Sequence, residues 1–383
     1  MTTTINNEQK KLNVPNLRFK EFQGEWHSFL INEICSEFKS GKNIKADSIS
    51  ENGEYPVFGG NGLRGYTASY NHEGLYVLIG RQGALCGNVR SVNGKTYITE
   101  HAIAAAGNEK SNTSFLHYLF LKMNLGQYSD QSAQPGLAVN KLLKLKVSLP
   151  PISEQKKIAK LLSLLDERIA TQNKIIEDLK KLKSAIIDYV INSLSTDFAK
   201  FGSLYEMAGE GGTPTTSNAS FYDNGKIPFI KIDDLKKKYL TENKDFITEL
   251  GLQKSSAWLV PTHSILFSNG ATIGEISITT YPVCTKQGIL GIVPKQNIDV
   301  EFLYYFMSSS YFKKAVSRIV TEGTMKTAYL KDINNILCPI PTKEKQQEIA
   351  KIPSALNSKI DTEKSILNLL ITQKQHLLHQ MFI

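Results

Sequence analysis

The sequence has few cysteines, few histidines and no long apolar run, and each shortage excludes a class of protein. Its four cysteines (Cys35, Cys86, Cys284 and Cys338) form no C-x-x-C pair, so neither a zinc site nor a disulfide framework is indicated. The seven histidines are equally dispersed. The apolar runs fall well short of the ~20 residues of a membrane span. The first seven residues are polar and unlike a secretory signal, so we expect a cytoplasmic protein.

Motifs for catalysis and nucleotide binding are also missing. No G-x-S-x-G nucleophile motif occurs. The glycine-rich segments around Gly60, Gly83 and Gly211 match neither phosphate-binding fingerprint, although a phosphate loop is one interpretation of them. The segment 233–236 resembles the tail of a nuclease motif, but such short matches often arise by chance. We therefore expect no catalytic residue, metal or cofactor in this chain.

The chain carries an excess of positive charge. Its formal net charge is +9 and its isoelectric point is about 9.1. An excess of basic residues favours a polyanionic partner, and nucleic acid is the first candidate. The alternative is an interaction scaffold that binds no DNA and whose basic charge is incidental.

One long segment is written twice, 191 positions apart. Residues 149–160 match residues 340–351, and the correspondence continues as far as Lys183 and Lys374. A repeat of this length predicts two equivalent structural units and a pseudo-twofold molecule.

Both copies carry apolar residues in alternating steps of three and four, which is the heptad pattern of a coiled coil. At about 40 residues each, the two helices would be roughly 60 Å long. Each polar exception in one copy has a polar counterpart in the other. The predicted seam residues are Leu165, Ile169, Gln172, Ile176, Leu179, Lys183 and Ile186, and Leu356, Ile360, Glu363, Leu367, Leu370, Lys374 and Leu377.

A twofold axis across the helices would make them antiparallel and each other's partner. We predict the register that sets Lys183 opposite Glu363 and Gln172 opposite Lys374, because both polar layers are then satisfied. The alternative is that each helix packs on its own domain. Pro353 stands in the seam where the first copy has Leu162, so we expect the second helix to start late or to kink near Lys351.

The stretches before each repeat are unlike in sequence but similar in plan. Both mix short β-branched and aromatic runs with Gly, Asn and Asp, which predicts strands and helices together. A predicted helix in each, at 113–120 and 301–307, is followed by a polar loop, at 130–136 and 321–327. Two domains with one frame and different details suit a protein that binds two different targets.

Turns and polar loops supply the candidate DNA contacts, since arginine can bind guanine bidentately and lysine can bind guanine or phosphate. Any one of them could equally be an ordinary surface residue. The candidates are Lys42, Arg64, Tyr66, Arg81, Gln82, Arg90, Gln134, Thr213, Thr215, Lys231, Asn269, Lys286, Thr324 and Lys326.

Seven segments have an order, spacing and duplication typical of one family. They are residues 17–26, 55–62, 80–83, 150–160, 211–214, 225–230 and 341–351. Together they resemble the specificity subunit of type I restriction-modification systems, and the resemblance covers nearly the whole chain. The departures are Pro353 and a less acidic start of the second helix, which bear on how one methyltransferase fits.

The resemblance implies an α+β fold, with two globular α/β target recognition domains separated by two long helices in an antiparallel coiled coil. The domains would be residues 1–148 and 196–339, and the helical spacers 149–195 and 340–383. Each domain would read one half of a bipartite, asymmetric sequence in double-stranded DNA. The helices would set the gap and dock two methyltransferase subunits.

The resemblance also implies that the chemistry belongs to partner subunits. AdoMet, ATP and magnesium would bind to the methyltransferase and to the restriction (motor-nuclease) subunits, and no membrane would be involved. The remaining alternative is an enzyme, as a fragment detached from a fused restriction-methylation protein.

Overall fold

The computed structural model describes residues 13–130, 136–320 and 326–383, and the chain divides into two compact units. The first unit combines Met1–Asn173 with Ile366–Ile383, and the second is Lys174–Ser365. Each unit therefore contains part of both long helices. The predicted domain boundaries at 148, 195 and 339 instead separate recognition domains from helical spacers, and those boundaries stay a prediction.

The first unit is built on two four-stranded sheets and one two-stranded sheet. The sheet orders are β2-β9-β6-β7, β4-β3-β8-β5 and β1-β10. The strands are β1 (His27–Leu30), β2 (Cys35–Ser40), β3 (Tyr55–Gly59), β4 (Gly62–Thr67), β5 (His72–Glu73), β6 (Tyr76–Gly80), β7 (Val89–Val92), β8 (Lys95–Ile98), β9 (Ala102–Gly107) and β10 (Lys146–Leu149). The helices are α1 (Ile31–Ile34), α2 (Thr113–Met123), α3 (Val139–Leu142), the first part of α4 (Ile152–Ser193) and the end of the last long helix.

The second unit has a similar set of elements. Its sheet orders are β12-β19-β16-β17-β14, β15-β13-β18 and β11-β20. The strands are β11 (Phe198–Lys200), β12 (Tyr205–Glu210), β13 (Ile227–Ile230), β14 (Tyr239–Leu240), β15 (Asp245–Ile247), β16 (Ile265–Ser268), β17 (Ile276–Thr279), β18 (Cys284–Thr285), β19 (Ile289–Pro294) and β20 (Leu337–Pro339). The helices are the end of α4, α5 (Glu249–Gln253), α6 (Val300–Ser308), α7 (Ser310–Ile319), α8 (Leu330–Ile333) and the first part of α9 (Lys343–Gln380).

Corresponding strands pair in similar ways in the two units. In each, an antiparallel pair, β1 with β10 or β11 with β20, leads into a long helix. Each unit also contains a short parallel strand pair, β3 with β8 or β13 with β18, and the second unit has a further one, β14 with β17. The α+β class implied by the resemblance and the presence of two unlike domains are confirmed.

The start of each long helix is tied to its own unit by a buried glutamine. The Gln155 side chain accepts from the amide of Asn112 and donates to the carbonyls of Lys110 and Pro150, all within 3.0 Å. Gln346 accepts from the amide of Asp299 at 2.8 Å and donates to two carbonyls in the same way. These bonds explain why both copies of the repeat carry glutamine here.

The heptad seam is the inward face of both helices. Every predicted seam residue is buried or half-buried, including Gln172 and Glu363. Some apolar residues off the seam are exposed, with Leu182 49% and Leu369 70% accessible, whereas others, such as Ile187, are buried against their own unit. In the first unit the start of α4 packs with the end of α9, and in the second unit the end of α4 packs with the start of α9. The antiparallel arrangement is therefore confirmed.

The predicted polar register is wrong. Lys183 donates to Oδ1 of Asn357 at 3.0 Å, and Glu363 forms an ion pair with Lys359 on its own helix at 2.5 Å. Lys374 pairs with Asp166 at 2.5 Å. A lysine amine on a four-carbon stem can reach an oxygen on a neighbouring turn, so matching residues by seam position alone gave the wrong partners.

Pro353 neither delays the second helix nor ends it. The helix begins at Lys343, ten residues before the proline, and continues to Gln380. The prediction of a late start is therefore wrong. Proline removes one backbone donor, so the carbonyl of Ile349 lacks its usual partner four residues on. Pro353 is itself buried in the seam.

Candidate nucleic-acid interface

A tight glycine turn in the first unit brings two arginines together. Gly59 pairs with Gly62 where β3 turns into β4, and Gly62 has a φ of +107°. A Cβ on Gly62 would lie 2.6 Å from Nη1 of Arg90, and one on Gly59 would lie 2.9 Å from Cδ of Arg64. The two glycines thus leave room for two cationic side chains to lie against one turn.

The arginines differ in their surroundings. Arg64 is exposed on β4, whereas Arg90 is half-buried on β7. The Nε of Arg90 is buried and has no hydrogen-bond partner among the described residues. Unpaired buried donors are uncommon in folded proteins and mark a group whose bonding capacity the protein itself does not satisfy.

A concavity of about 440 Å³ lies beside this turn, lined by Gly59, Gly60, Asn61, Arg64, Gln82, Gly83 and His101. We call these residues with Arg90 the first-unit cluster. His101 Nδ1 lies 3.1 Å from Oε1 of Gln82, and its Nε2 lies 3.2 Å from Glu100. Sequence reasoning selected Arg64, Gln82 and Arg90 but missed His101, because nothing local distinguishes it from the other histidines.

Backbone bonds hold the loops of the first-unit cluster in place. The Arg81 amide donates to the carbonyl of His101 at 2.9 Å, and the Leu137 amide donates to the carbonyl of Arg81 at 2.9 Å. Gln82 forms a bridge with Gly136. The polar loop predicted near Gly136 therefore ends at the same surface as Gln82.

The second unit repeats this backbone frame with different side chains. The Asn269 amide donates to the carbonyl of Gly288 at 3.0 Å, the Ala328 amide donates to that of Asn269 at 2.8 Å, and Gly270 bridges Thr327. Gly136 and Leu137 are each 191 positions before Thr327 and Ala328. Arg81 and Gln82 are thus replaced by Asn269 and Gly270.

Asn269 is a buried residue of this frame. It is 1% exposed, its amide nitrogen donates to the carbonyl of Ala328, and its Oδ1 has no partner among the described residues. Nearby, Oγ1 of Thr213 accepts from the amide of Gln287, and Glu210 accepts from that of Gly288. These bonds bring the Thr213 loop beside the exposed Lys286.

The other candidates occupy separate positions. Lys231 is exposed and pairs with Asp245 at 2.8 Å, and Tyr66 is half-buried opposite Pro56. Gln134 and Thr324 lie outside the described residues. The remaining candidates, all exposed, are Lys42, Thr215 and Lys326.

The helix α4 carries an uncovered apolar stripe in the second unit. Ile175, Leu182 and Tyr189 follow one another at seven-residue spacing and are 40%, 49% and 75% exposed. Residues at this spacing lie on one face of a helix. Such a stripe on a long surface helix is typical of a protein-binding face.

Features of other functions are not found in the parts of the chain that the structure describes. Residues 13–130, 136–320 and 326–383 contain no cluster of potential metal ligands and no helix apolar and long enough to span a membrane. All four cysteines are free, and burial raises the pKa of the Cys284 thiol to about 11. A buried thiol of this kind is a poor nucleophile.

The chain is similar to known specificity subunits. The type I restriction enzyme EcoprrI specificity subunit of Escherichia coli is 42% identical over 173 residues, which cover 44% of this chain and 42% of that protein. This match therefore spans less than half of either protein. A putative type I restriction enzyme specificity subunit of Haemophilus influenzae is 24% identical over 92% of both chains.

Structure and family comparisons agree. The crystal structure of the S subunit of the type I restriction-modification system from M. genitalium matches with a TM-score of 0.64 at 19% identity, covering 97% of this chain and 99% of that one. At this identity the match concerns the fold. The family model for the type I restriction modification DNA specificity domain matches residues 23–181 and 196–371. The chain therefore belongs to the type I restriction-modification DNA specificity family.

Proposed function

We propose that this chain is the DNA-recognition subunit of a type I restriction-modification complex and is not itself an enzyme. The observation that carries the proposal is the repeated backbone frame, which presents Arg81, Gln82 and His101 in one unit but Asn269, Gly270 and Gly288 in the other. One frame with unlike side chains suits the recognition of two different short sequences. The target would then be bipartite and asymmetric, with one half-site for each domain.

In the first half-site, Arg64 and Arg90 are the proposed base contacts. Arginine binds O6 and N7 of guanine through two parallel hydrogen bonds, and glutamine can bind adenine in the same way. Gln82 lines the same concavity as Arg64, so a guanine and an adjacent adenine would fit its chemistry. The exposed Lys42 would contact phosphate, which fixes position but carries no sequence information.

In the second half-site, Thr213, Thr215 and Lys286 are the proposed contacts, with Lys231 and Lys326 as further cationic candidates. Asn269 would act as a positioning residue, since it is buried and its backbone joins two loops. This domain presents fewer cations at its frame than the first, so we propose that its readout depends more on hydroxyl groups and DNA shape.

Replacing Arg64 or Arg90 should weaken recognition of one half-site only. We expect Arg64→Gln to lower affinity for the cognate DNA by about 10- to 100-fold, as each bidentate contact contributes roughly 1–3 kcal/mol of discrimination. Competition binding against oligonucleotides substituted at each position should show relaxed preference at one base pair of one half-site.

The matched control is Lys146→Gln, which removes an exposed charge from β10 of the same unit, away from the first-unit cluster. It should weaken binding to all sequences by the same small factor. Equal losses from both variants with unchanged base preference would contradict the assignment. Absent or salt-insensitive binding of the methyltransferase complex to DNA would favour the scaffold alternative.

The long helices would act as a ruler, meaning that their length sets the spacing between the two half-sites. They would also bind the methyltransferase subunits. Their 42 and 38 residues correspond to roughly 60 Å of helix at 1.5 Å per residue. Half-sites read by one rigid protein lie near a whole turn of DNA apart, about 34–36 Å, which helices of this length can bridge. Two methyltransferase subunits would bind the helices and carry AdoMet, and restriction subunits would supply ATP- and magnesium-dependent cleavage. A complex acting on cellular DNA would work in the cytoplasm.

The apolar stripe on α4 is the proposed docking face for one methyltransferase. We expect Leu182→Glu combined with Tyr189→Glu to reduce co-purification of the methyltransferase at least tenfold, because two carboxylates would have to be buried in the interface. Leu259→Glu is a suitable control, since Leu259 is 48% exposed but lies off the helices. Equal binding by both variants would contradict this docking face.

A further inference from the structure

A lysine-rich cavity of about 380 Å³ lies within the second unit, where both long helices meet its domain. Among the residues that the structure describes, the carboxylates lining it are Glu275 and Asp361. Its lysines are Lys180, Lys183, Lys236, Lys237, Lys238, Lys313 and Lys364.

Four of these lysines are neutralised by carboxylates. Lys238 is buried in a pair with Glu301 and also donates to the hydroxyls of Tyr305 and Ser354. The three other ion pairs are Lys236–Asp233 at 3.7 Å, Lys237–Glu242 at 2.8 Å and Lys364–Asp361 at 3.2 Å.

The other three lysines, Lys180, Lys183 and Lys313, have no carboxylate within 4.0 Å among the described residues. Lys183 is half-buried, and its amine donates to the neutral amide oxygen of Asn357. Burial lowers the pKa of Lys183, and the charge of Lys364 lowers it further, while the charge of Asp361 acts in the opposite direction. Because Asp361 pairs with Lys364, the partly desolvated charge of Lys183 has no direct ion-pair partner among the described residues.

In the first unit, the lysine equivalent to Lys183 has a carboxylate partner. Lys374 and Asp166 are the equivalents, 191 positions away, of Lys183 and Asn357. There the lysine pairs with a carboxylate at 2.5 Å. The second unit has an amide where the first has a negative charge, so an external anion could occupy the corresponding place.

We propose that this cavity binds a phosphate-type oxyanion through Lys180, Lys183 and Lys313. Lysine donates to phosphate as a point charge, and three amines can contact separate oxygens of one group. The phosphate would belong either to a free phosphate compound or to the DNA backbone. The second case rests on the proposed function, and the first is independent of it.

Thermal unfolding with pyrophosphate tests the site directly. The full chain carrying Trp26→Phe keeps Trp258, in the second unit, as its only tryptophan reporter. At tenfold excess over Kd, pyrophosphate should raise Tm by roughly 3–5 °C relative to sodium chloride of equal ionic strength. Asn357→Asp should abolish the shift by supplying the carboxylate that Asp166 supplies in the first unit, and Lys183→Met should also abolish it.

Asn173→Asp is the matched control, since it adds the same charge to α4 outside the cavity and should leave the shift intact. The DNA arm compares the salt dependence of DNA binding for the wild type and Lys183→Met in the methyltransferase complex. If Lys183→Met reduces the slope of log affinity against log salt concentration by about one, the phosphate belongs to the DNA backbone.

A pyrophosphate shift with an unchanged DNA slope identifies a free phosphate compound, and it would stand even if the chain bound no DNA. The proposal is overturned if pyrophosphate gives no shift beyond the salt control and Lys183→Met leaves the slope unchanged. A shift that Asn357→Asp and Lys183→Met both retain would overturn it as well.

Discussion

Arg18→Ala should lower the free energy of unfolding of the first unit by about 3–5 kcal/mol, the usual effect of removing one partner of a buried ion pair. Arg18 donates from Nε and Nη2 to the two carboxylate oxygens of Glu154, at 2.8 and 2.7 Å. The Glu154 side chain is fully buried. Without Arg18, this carboxylate would remain buried and uncompensated at the start of α4.

Urea unfolding of a Trp258→Phe background measures this loss, because Trp26 then reports on the first unit alone. Lys345, the equivalent of Glu154 in the second copy, is exposed and pairs with Glu348 on its own helix. Lys345→Ala should therefore change stability by less than about 1 kcal/mol. A loss below about 1 kcal/mol for Arg18→Ala would contradict the role given to this pair.

Inserting seven residues into both long helices should lengthen the gap in the recognised sequence by about three base pairs. One heptad adds roughly 10.5 Å of helix while preserving the seam, and DNA rises 3.4 Å per base pair. Equivalent insertion points are after Asn173 in α4 and after Lys364 in α9. Both half-sites should stay unchanged, because the insertions touch neither backbone frame.

Two controls distinguish an effect of helix length on the gap from a general perturbation of the protein. The same seven residues inserted in α9 alone should abolish pairing of the seam and destabilise the protein. Inserted at the exposed turn of Asn93 and Gly94, which is not among the proposed DNA contacts, they should leave the gap unchanged. Altered half-sites with an unaltered gap in the double insertion would contradict the ruler.

The sequence was sufficient to predict which faces of the helices are buried, but not which polar groups meet. Heptad spacing depends only on helix geometry, so Leu165, Leu179 and Leu370 fall on the buried side as expected. The partners of Lys183 and Lys374 depend on where long flexible side chains end. The late start expected from Pro353 was also wrong, because the helix begins ten residues before the proline and local propensity did not decide where it starts.

The candidate site was predicted in part for the same reason. Glycine patterns identified the turn against which Arg64 and Arg90 lie, since the need for close backbone approach is visible in sequence. The contribution of His101 arises from a loop that only the folded β-sheets bring beside Gln82. The equivalence of Arg81 with Asn269 likewise follows from backbone bonds between segments that are distant in sequence.

A map of methylated adenines in DNA from cells carrying this chain and its methyltransferase tests the central proposal most directly. Two unlike recognition domains joined by the repeated helices predict one motif, made of two different half-sites separated by a gap of fixed length and unspecified sequence. Arg64→Gln should alter one half-site in that map and leave the other intact. A single unsplit motif, or a motif whose two halves both change with Arg64, would contradict the proposal.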